Sequence, residues 1–325
     1  IHYYEGAMLE STRLWECLSL GATVVSESGA DQDEYDAFKD VISFCPVDDT
    51  QALVRAIGRA LEAPVDAEHL KAIVQRSDAQ FSFMWNRAML GLHLSGPGQF
   101  GNLTADYQLP GDRLVLSLPE TTQRRELFDK VRPAGVATFD GLRRRPGWVG
   151  CALSYQFLAK KALAQGLERL DIMEDDVLLS PDYAAHCEIS DRYLAAHTGD
   201  WDIFAGLITV LHPDAKVLKV EKLDGLTFVT LNRMTSTVHN RYAPSALKML
   251  ANWDVNNPDA NTNTIDKYLE SQPRLRVVIT LPYLVGHRED AHSSLWGFAN
   301  TQYTEIIANS ERQIKVLVDD YLANQ

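Results

Sequence analysis

The chain is predicted to be an α/β protein in two units, on three observations. A helix-like segment, residues 155–165, is closed by Gly166 and followed by a short apolar run, residues 170–173, with Glu174, Asp175 and Asp176 where that run ends. Helix, strand and loop signals alternate from Arg113 to about Gly286. The first part of the chain reads helix, strand, strand, helix, the rhythm of the last part of a Rossmann-like domain.

Each element has a local reason. Residues 9–20 carry a helix pattern ended by Gly21. Residues 22–26 read as a short strand around the β-branched Thr23, Val24 and Val25, and residues 41–44 as a second. Residues 50–62 read as an amphipathic helix with Leu53, Ile57 and Leu61 on one face and Pro64 beyond its end. Residues 1–95 are therefore expected to be one unit, a partial α/β domain. Residues 96–112 are rich in turn formers, including Gly96-Pro97-Gly98 and Leu109-Pro110-Gly111, and are expected to be a linker. A strand over Arg113 to Leu118 opens the second unit, residues 113–325. Its tail, residues 301–322, places Ile306, Ile307, Ile314, Val316, Leu317 and Tyr321 at helical spacing. It is expected to be a packing face, since it carries too few cations for a lipid surface.

Composition excludes several functions. The 325 residues suffice for two ordinary domains, and 46% hydrophobic with 23% charged residues is the balance of a soluble globular protein. A net charge of −13 argues against nonspecific nucleic-acid binding, so no nucleic-acid partner is expected. Arg143-Arg144-Arg145 is a local basic patch, read as a solvated loop, with an anionic acceptor or membrane phosphate as the alternative. No apolar run is long enough to span a bilayer, and the first residues are not a signal peptide. The chain opens on Ile1 without an initiator Met and is expected to begin inside a longer protein. Cys17, Cys45, Cys151 and Cys187 form no C-x-x-C pair, which suits free thiols in a reducing compartment and argues against zinc. A cytoplasmic location follows, or a peripheral one at the inner face of a membrane.

The acid cluster is the main chemical signal. Ligands bind at the strand ends of open α/β sheets. Three acids packed together repel one another unless a cation or hydrogen-bond donors offset the charge. A hard divalent ion with oxygen ligands, Mn²⁺ or Mg²⁺, is the expected cofactor. Upstream, Gly150-Cys151-Ala152-Leu153-Ser154 supplies small residues that allow close helix packing. Cys151 lacks a nearby His that would make it a nucleophile. Trp148, Trp201 and Trp296 are read as core or rim packing rather than sugar-stacking platforms.

Five blocks occur in order in the second unit. They are Leu114-Val115-Leu116-Ser117-Leu118 with Gln123-Arg124-Arg125-Glu126; Gly150-Cys151-Ala152-Leu153-Ser154-Tyr155; Ile172-Met173-Glu174-Asp175-Asp176-Val177; Ile265-Asp266-Lys267-Tyr268-Leu269; and Pro282-Tyr283-Leu284-Val285 with Ser293-Ser294. In this order they resemble glycosyltransferase family 25, the lipooligosaccharide galactosyltransferase family to which the collagen galactosyltransferases are related. Two positions depart from that family: Ser117 stands where Asn is usual and Tyr155 where His is usual.

The resemblance implies a GT-A-like Rossmann-type domain that moves a hexose, galactose first, from a UDP-sugar to an oligosaccharide or lipid-linked glycan in lipopolysaccharide or surface-glycan synthesis. It implies Asp175 and Asp176 as metal ligands, with His287 as a further one unless it is an ordinary loop histidine. Leu118, Arg124, Arg125, Gly150, Ser154 and Glu174 would bind the donor. Asp266 would take the acceptor's proton if the reaction inverts, ahead of Asp254 and Asp259; its bland alternative is a helix N-terminal charge. Residues 1–90 look like the end of a GT-B-type glycosyltransferase: Glu10, Arg13, Leu14, Glu16, Cys17 and Gly21 carry the likeness, with Glu16 at a ribose-holding position. That part is expected to be an incomplete site, the remnant of a second transferase in tandem. Two other readings of the second unit stay open, a non-catalytic glycan-binding module and a nucleotide-sugar hydrolase.

Overall fold

The computed structural model describes residues 6–9, 11–63, 66–289 and 302–325. It divides into two compact units, residues 1–85 and 86–325.

The first unit is small. Helix α1 (Ser11–Ser19) precedes strand β1 (Val24–Glu27), a 3₁₀ turn (Gln32–Phe38), strand β2 (Ile42–Cys45) and helix α2 (Thr50–Glu62). Strands β1 and β2 pair in parallel, with Val24 opposite Ile42. Leu14, Leu18, Val24, Phe38, Val41 and Ile42 form its core, joined by Leu70 and Ile73 of helix α3 (Ala67–Gly91). The face expected to pack on α2 does not: Ile57 is 43% and Leu61 78% exposed, and Ala56 is the residue that is buried. A sheet of two strands offers only a narrow surface, and the small Ala56 lets the helix sit close to it. Glu16 is exposed on α1.

The second unit holds the large sheet. The expected linker, residues 96–112, contains helix α4 (Pro97–Leu103). Phe100 of this helix is buried against Phe157, which also meets Tyr107, so apolar packing fixes this segment where turn formers alone would leave it free. Then follow β3 (Arg113–Ser117), α5 (Thr122–Asp129), β4 (Ala137–Asp140), α6 (Gly147–Ala164), β5 (Leu170–Glu174), β6 (Val177–Leu179), α7 (Tyr183–Ala196), β7 (Ile203–Ala205), β8 (Val217–Leu223), β9 (Leu226–Leu231), β10 (His239–Tyr242), α8 (Pro244–Ala251), α9 (Ala260–Asn263), α10 (Ile265–Glu270), β11 (Val277–Leu281), β12 (Val285–His287) and α11 (Tyr303–Ala323).

The architecture is mixed α/β. One sheet of eight strands runs β4-β3-β5-β10-β7-β11-β9-β8, and β12 pairs with β6 beside it. Strands β4, β3 and β5 are parallel, while β10 is antiparallel to both its neighbours. The sheet is therefore parallel on one side and mainly antiparallel on the other. Central strands β10 and β11 are buried at every residue, as strands covered on both faces must be.

Two features of this layout position the site. The three parallel strands end level, with Ser117 opposite Asp140 and Leu116 opposite Glu174. The β12–β6 pair sets His287 opposite Val177, and the Arg288 amide donates to the Asp176 carbonyl at 2.8 Å. The tail forms α11 as its periodicity predicts; Ile307 and Ile314 of the expected face are buried, together with Val318, whereas Ile306 and Val316 are exposed. Trp148 and Trp201 are core residues, whereas Trp296, Ser293 and Ser294 lie outside the described residues. Among the described residues no helix is long and apolar enough to cross a membrane.

A second charged cluster is structural. Arg241 is 1% exposed, pairs with Asp171 at 3.3 Å and Asp191 at 3.0 Å, and lies over the Phe204 ring at 5.0 Å. Arg169, nearer solvent, reaches the same two carboxylates. Removing a buried partner strands a charge in low dielectric, whereas an exposed pair contributes little. Arg241→Leu is expected to lower unfolding free energy by about 3–5 kcal/mol, and Arg169→Leu by under about 1 kcal/mol. Urea unfolding of both variants checks this; equal losses would contradict it.

Candidate functional site

At the end of β5 the chain turns through Asp175 and Asp176 into β6. Both carboxylates are buried. Their charge is met by Arg124, from the first turn of α5. Its Nε donates to Asp175 Oδ1 at 2.9 Å, its Nη2 also contacts that oxygen, and Nη2 meets Asp176 Oδ2 at 2.9 Å. Ser117 Oγ, at the end of β3, donates to Asp175 Oδ2 at 2.7 Å. His287 Nε2 lies 3.4 Å from Asp176 Oδ2. Its Nδ1 faces the Arg288 carbonyl at 2.8 Å, and since a carbonyl can only accept, Nδ1 carries a proton. The His287 ring stacks on Tyr303, with centroids 4.5 Å apart.

These contacts split the titrations of the three acids. Burial and the neighbouring Asp176 charge push Glu174 up to about 7. Burial also raises Asp175, against the pull of Arg124. Asp176 is lowered, because His287 and Arg124 outweigh its burial. For His287, burial opposes the charged ring, but Asp176 prevails and raises it. Tyr155 OH sits 3.3 Å from Glu174 Oε1 and 3.1 Å from the Thr237 carbonyl. Both positions that depart from the resembled family, Ser117 and Tyr155, thus contact the acid cluster.

The Gly150–Ser154 segment has a mechanical role. A Cβ on Gly150 would lie 2.7 Å from Arg144 N and 2.8 Å from the Leu142 carbonyl. Only glycine lets α6 approach the loop after β4 this closely. One turn on, Ser154 Oγ accepts from Leu142 N and donates to the Gly150 carbonyl, both at 2.8 Å. These two residues therefore hold the loop rather than present a reactive group. Burial and the charges of Glu174, Asp266 and Asp176 raise the Cys151 thiol well above its ordinary range, so it is no thiolate nucleophile.

A cavity of about 800 Å³ opens at the ends of β3, β4 and β5. Of the residues expected at the site, Leu118, Arg124, Ser154, Glu174 and Asp175 line it. Gly150 lies behind its wall. Arg125 instead ties strand ends together, donating to the Ser117 carbonyl at 3.1 Å and to Asp140 at 2.7 Å. Asp176 and His287 are not among the lining residues. Asp266 is not among the lining residues; it sits in the first turn of α10, where its carboxylate accepts from Lys267 N at 2.9 Å. Asp254 and Asp259 hold local turns. The cavity also takes in Arg87, Arg143, Arg144 and Arg145; Arg143 and Arg145 are exposed, as a solvated loop requires, and line it as well. Their clustering with turn and glycine residues just before a helix start was the available signal.

Among the described residues no group of three or more His, Cys, Asp or Glu side chains is arranged to hold a metal. Asp175 is already engaged at both oxygens. Asp176 and His287 fit no better: Asp176 Oδ1 is buried with no hydrogen-bond partner, but the His287 ring carries a proton at Nδ1 and pairs with the Asp176 carboxylate through Nε2, which leaves it no lone pair for a metal.

No protein-family model matches the chain, and no curated protein sequence matches it. Among solved structures it is similar to mannose-1-phosphate geranyltransferase from Thermus thermophilus, with 15% identity and a TM-score of 0.28 over 51% of this chain and 58% of that one. The chain thus spans little more than half of that protein, and a likeness at this level assigns neither fold nor activity.

Two outcomes are expected. Gly150→Ala and Ser154→Ala should each cost roughly 1–3 kcal/mol, the first by overpacking and the second by leaving the buried Leu142 amide unpaired; thermal unfolding reads both. Glu174 binds its proton more tightly in the folded than in the unfolded chain. Its contribution to stability is therefore full below about 4.5 and is lost as pH rises towards about 7. Glu174→Gln should flatten the fall in urea midpoint across that window, and an unchanged slope would contradict the assignment.

Proposed function

We propose that the second unit is a nucleotide-sugar-dependent glycosyltransferase whose donor occupies the cavity at the ends of β3, β4 and β5. One observation carries this reading: arginines and a pre-organised acid cluster meet in one cavity at the carboxyl ends of three parallel strands, where open α/β sheets bind ligands. The ordered blocks that resemble glycosyltransferase family 25 point the same way, towards a GT-A-type domain and a UDP-hexose, galactose first. The acceptor on this reading is a saccharide or lipid-linked glycan.

Transfer breaks the bond between the anomeric carbon and the donor diphosphate, and negative charge grows on the departing phosphate. Cationic groups already aimed at that charge lower the barrier without reorganising. Arg124 keeps the Asp175–Asp176 turn in place, and Ser117 orients Asp175. The acceptor hydroxyl must lose a proton. Glu174 suits that role better than Asp266, because it lines the cavity and titrates near 7, where a general base works best. Tyr155 OH, within reach of Glu174 Oε1, would hold that carboxylate in position.

The test is product analysis with UDP-galactose and a panel of saccharide acceptors, by liquid chromatography and mass spectrometry. Acceptor-dependent release of UDP with a new glycoside is expected. Glu174→Gln should lower kcat by roughly 10²–10⁴, and Asp266→Asn by much less. Acceptor-independent release of free sugar would instead mark a hydrolase, and no turnover of any nucleotide sugar would contradict the proposal.

A further inference from the structure

The loop Leu142 to Pro146 is built in a way its sequence does not advertise. Three consecutive arginines on a surface loop are ordinarily solvated, and nothing need hold their backbone. Here the backbone is fixed from several sides. Arg87 Nε donates to the Gly141 carbonyl at 2.7 Å, and Ser154 Oγ accepts from Leu142 N at 2.8 Å. Gly150 gives up its side chain so that α6 can meet Leu142 and Arg144. Arg144 itself is engaged structurally, reaching the Leu90 carbonyl at 3.4 Å and the Ser95 carbonyl at 3.2 Å.

The flanking two arginines are left for something else. Arg143 and Arg145 are exposed and line the cavity. Among the described residues the ion pair of Arg143 is with Glu120, at 3.5 Å, and that carboxylate is already held bidentately by Arg87 at 2.9 and 2.8 Å. Although Glu120 is partly buried, these contacts hold it ionised, with a pKa of about 2. Arg145 forms no ion pair among the described residues. The loop runs directly into the first turn of α6, an 18-residue helix whose Gly147 also lines the cavity. Guanidinium groups and a helix N-terminus both favour phosphate oxygens.

We propose that Arg143 and Arg145 form a phosphate arm that grips the diphosphate of the nucleotide donor directly, without a metal ion, while Gly150 and Ser154 act as positioning residues for it. The inference rests on the reading of the cavity as the donor site, and it adds which residues recognise the donor and by what chemistry. The acid cluster faces the transferred sugar, and the arm faces the leaving group.

The test is calorimetric titration of the full chain with uridine, UDP and inorganic pyrophosphate, in EDTA and again in Mn²⁺. Wild type and Arg143→Ala/Arg145→Ala are compared; both side chains are exposed, so the variant should fold, which circular dichroism confirms. UDP and pyrophosphate are expected to bind in EDTA, and the double variant to lose roughly tenfold or more for both, since each charge-assisted contact is worth about that much. Uridine should bind equally to the two proteins. Wild-type binding of UDP only when Mn²⁺ is present would overturn the metal-free arm while leaving the donor-site reading intact. Equal UDP affinity in wild type and variant would overturn the arm likewise. No binding of any nucleotide in either buffer would remove both the arm and the donor site.

Discussion

Two carboxylates, Asp175 and Asp176, are buried where β5 ends, and one guanidinium, Arg124, lies against both. Much of the site follows from that arrangement. An isolated buried carboxylate is costly, so the turn that holds two of them exists only because a cation reaches it. Arg124 comes from α5, Ser117 from β3 and His287 from β12, so this one group of charges ties together the parallel strands and the small β6–β12 ribbon. Buried ion clusters are seldom the most effective way to stabilise a fold, and apolar replacements often do as well. Asp175 lines a cavity, which is the reason to read this cluster as chemistry, in contrast with the Arg241 cluster, none of whose members lines that cavity.

The electrostatics of the whole chain sharpen this view. The protein carries a net charge of −13, yet the cavity lining gathers five arginines against three carboxylates, Glu120, Glu174 and Asp175. A positive concavity on an acidic molecule attracts small anions while the rest of the surface repels polyanions. That pattern suits a soluble phosphate ester better than a nucleic acid. The backbone of the loop that carries three of the arginines is held by hydrogen bonds from other elements, so phosphate recognition would have only side chains left to order.

Much of this was legible in the sequence, and for identifiable reasons. Leu170 to Met173 is a continuous apolar run, and such runs are what strands covered on both faces require; the three acids after it had to lie at a strand end. The periodicity of the tail gave α11 and its buried Ile307 and Ile314, though not the exposure of Ile306 and Val316. Long-range pairing was not legible. No local signal places His287 beside Asp176, because the β12–β6 register does that. Arg125 and Arg124 are adjacent and chemically alike, yet one faces the cavity and the other bridges strand ends, a difference fixed by the helix position of each. The Gly-Pro composition of residues 96–112 concealed α4, whose Phe100 packs on a distant aromatic. The arginine loop is solvated at Arg143 and Arg145, as its sequence suggests, but its anchoring was hidden for the same reason: the anchors Arg87, Ser154 and Gly150 come from other parts of the chain.

One cavity binding one class of ligand is the central claim, and amide hydrogen exchange on the full chain, with and without saturating UDP, tests it most directly. Slowed exchange is predicted in the loop after β4, the first turn of α6 and the Asp175–Asp176 turn, with little change elsewhere in the large sheet. Protection confined to another surface, or none at saturating UDP, would contradict the assignment of this cavity as the donor site.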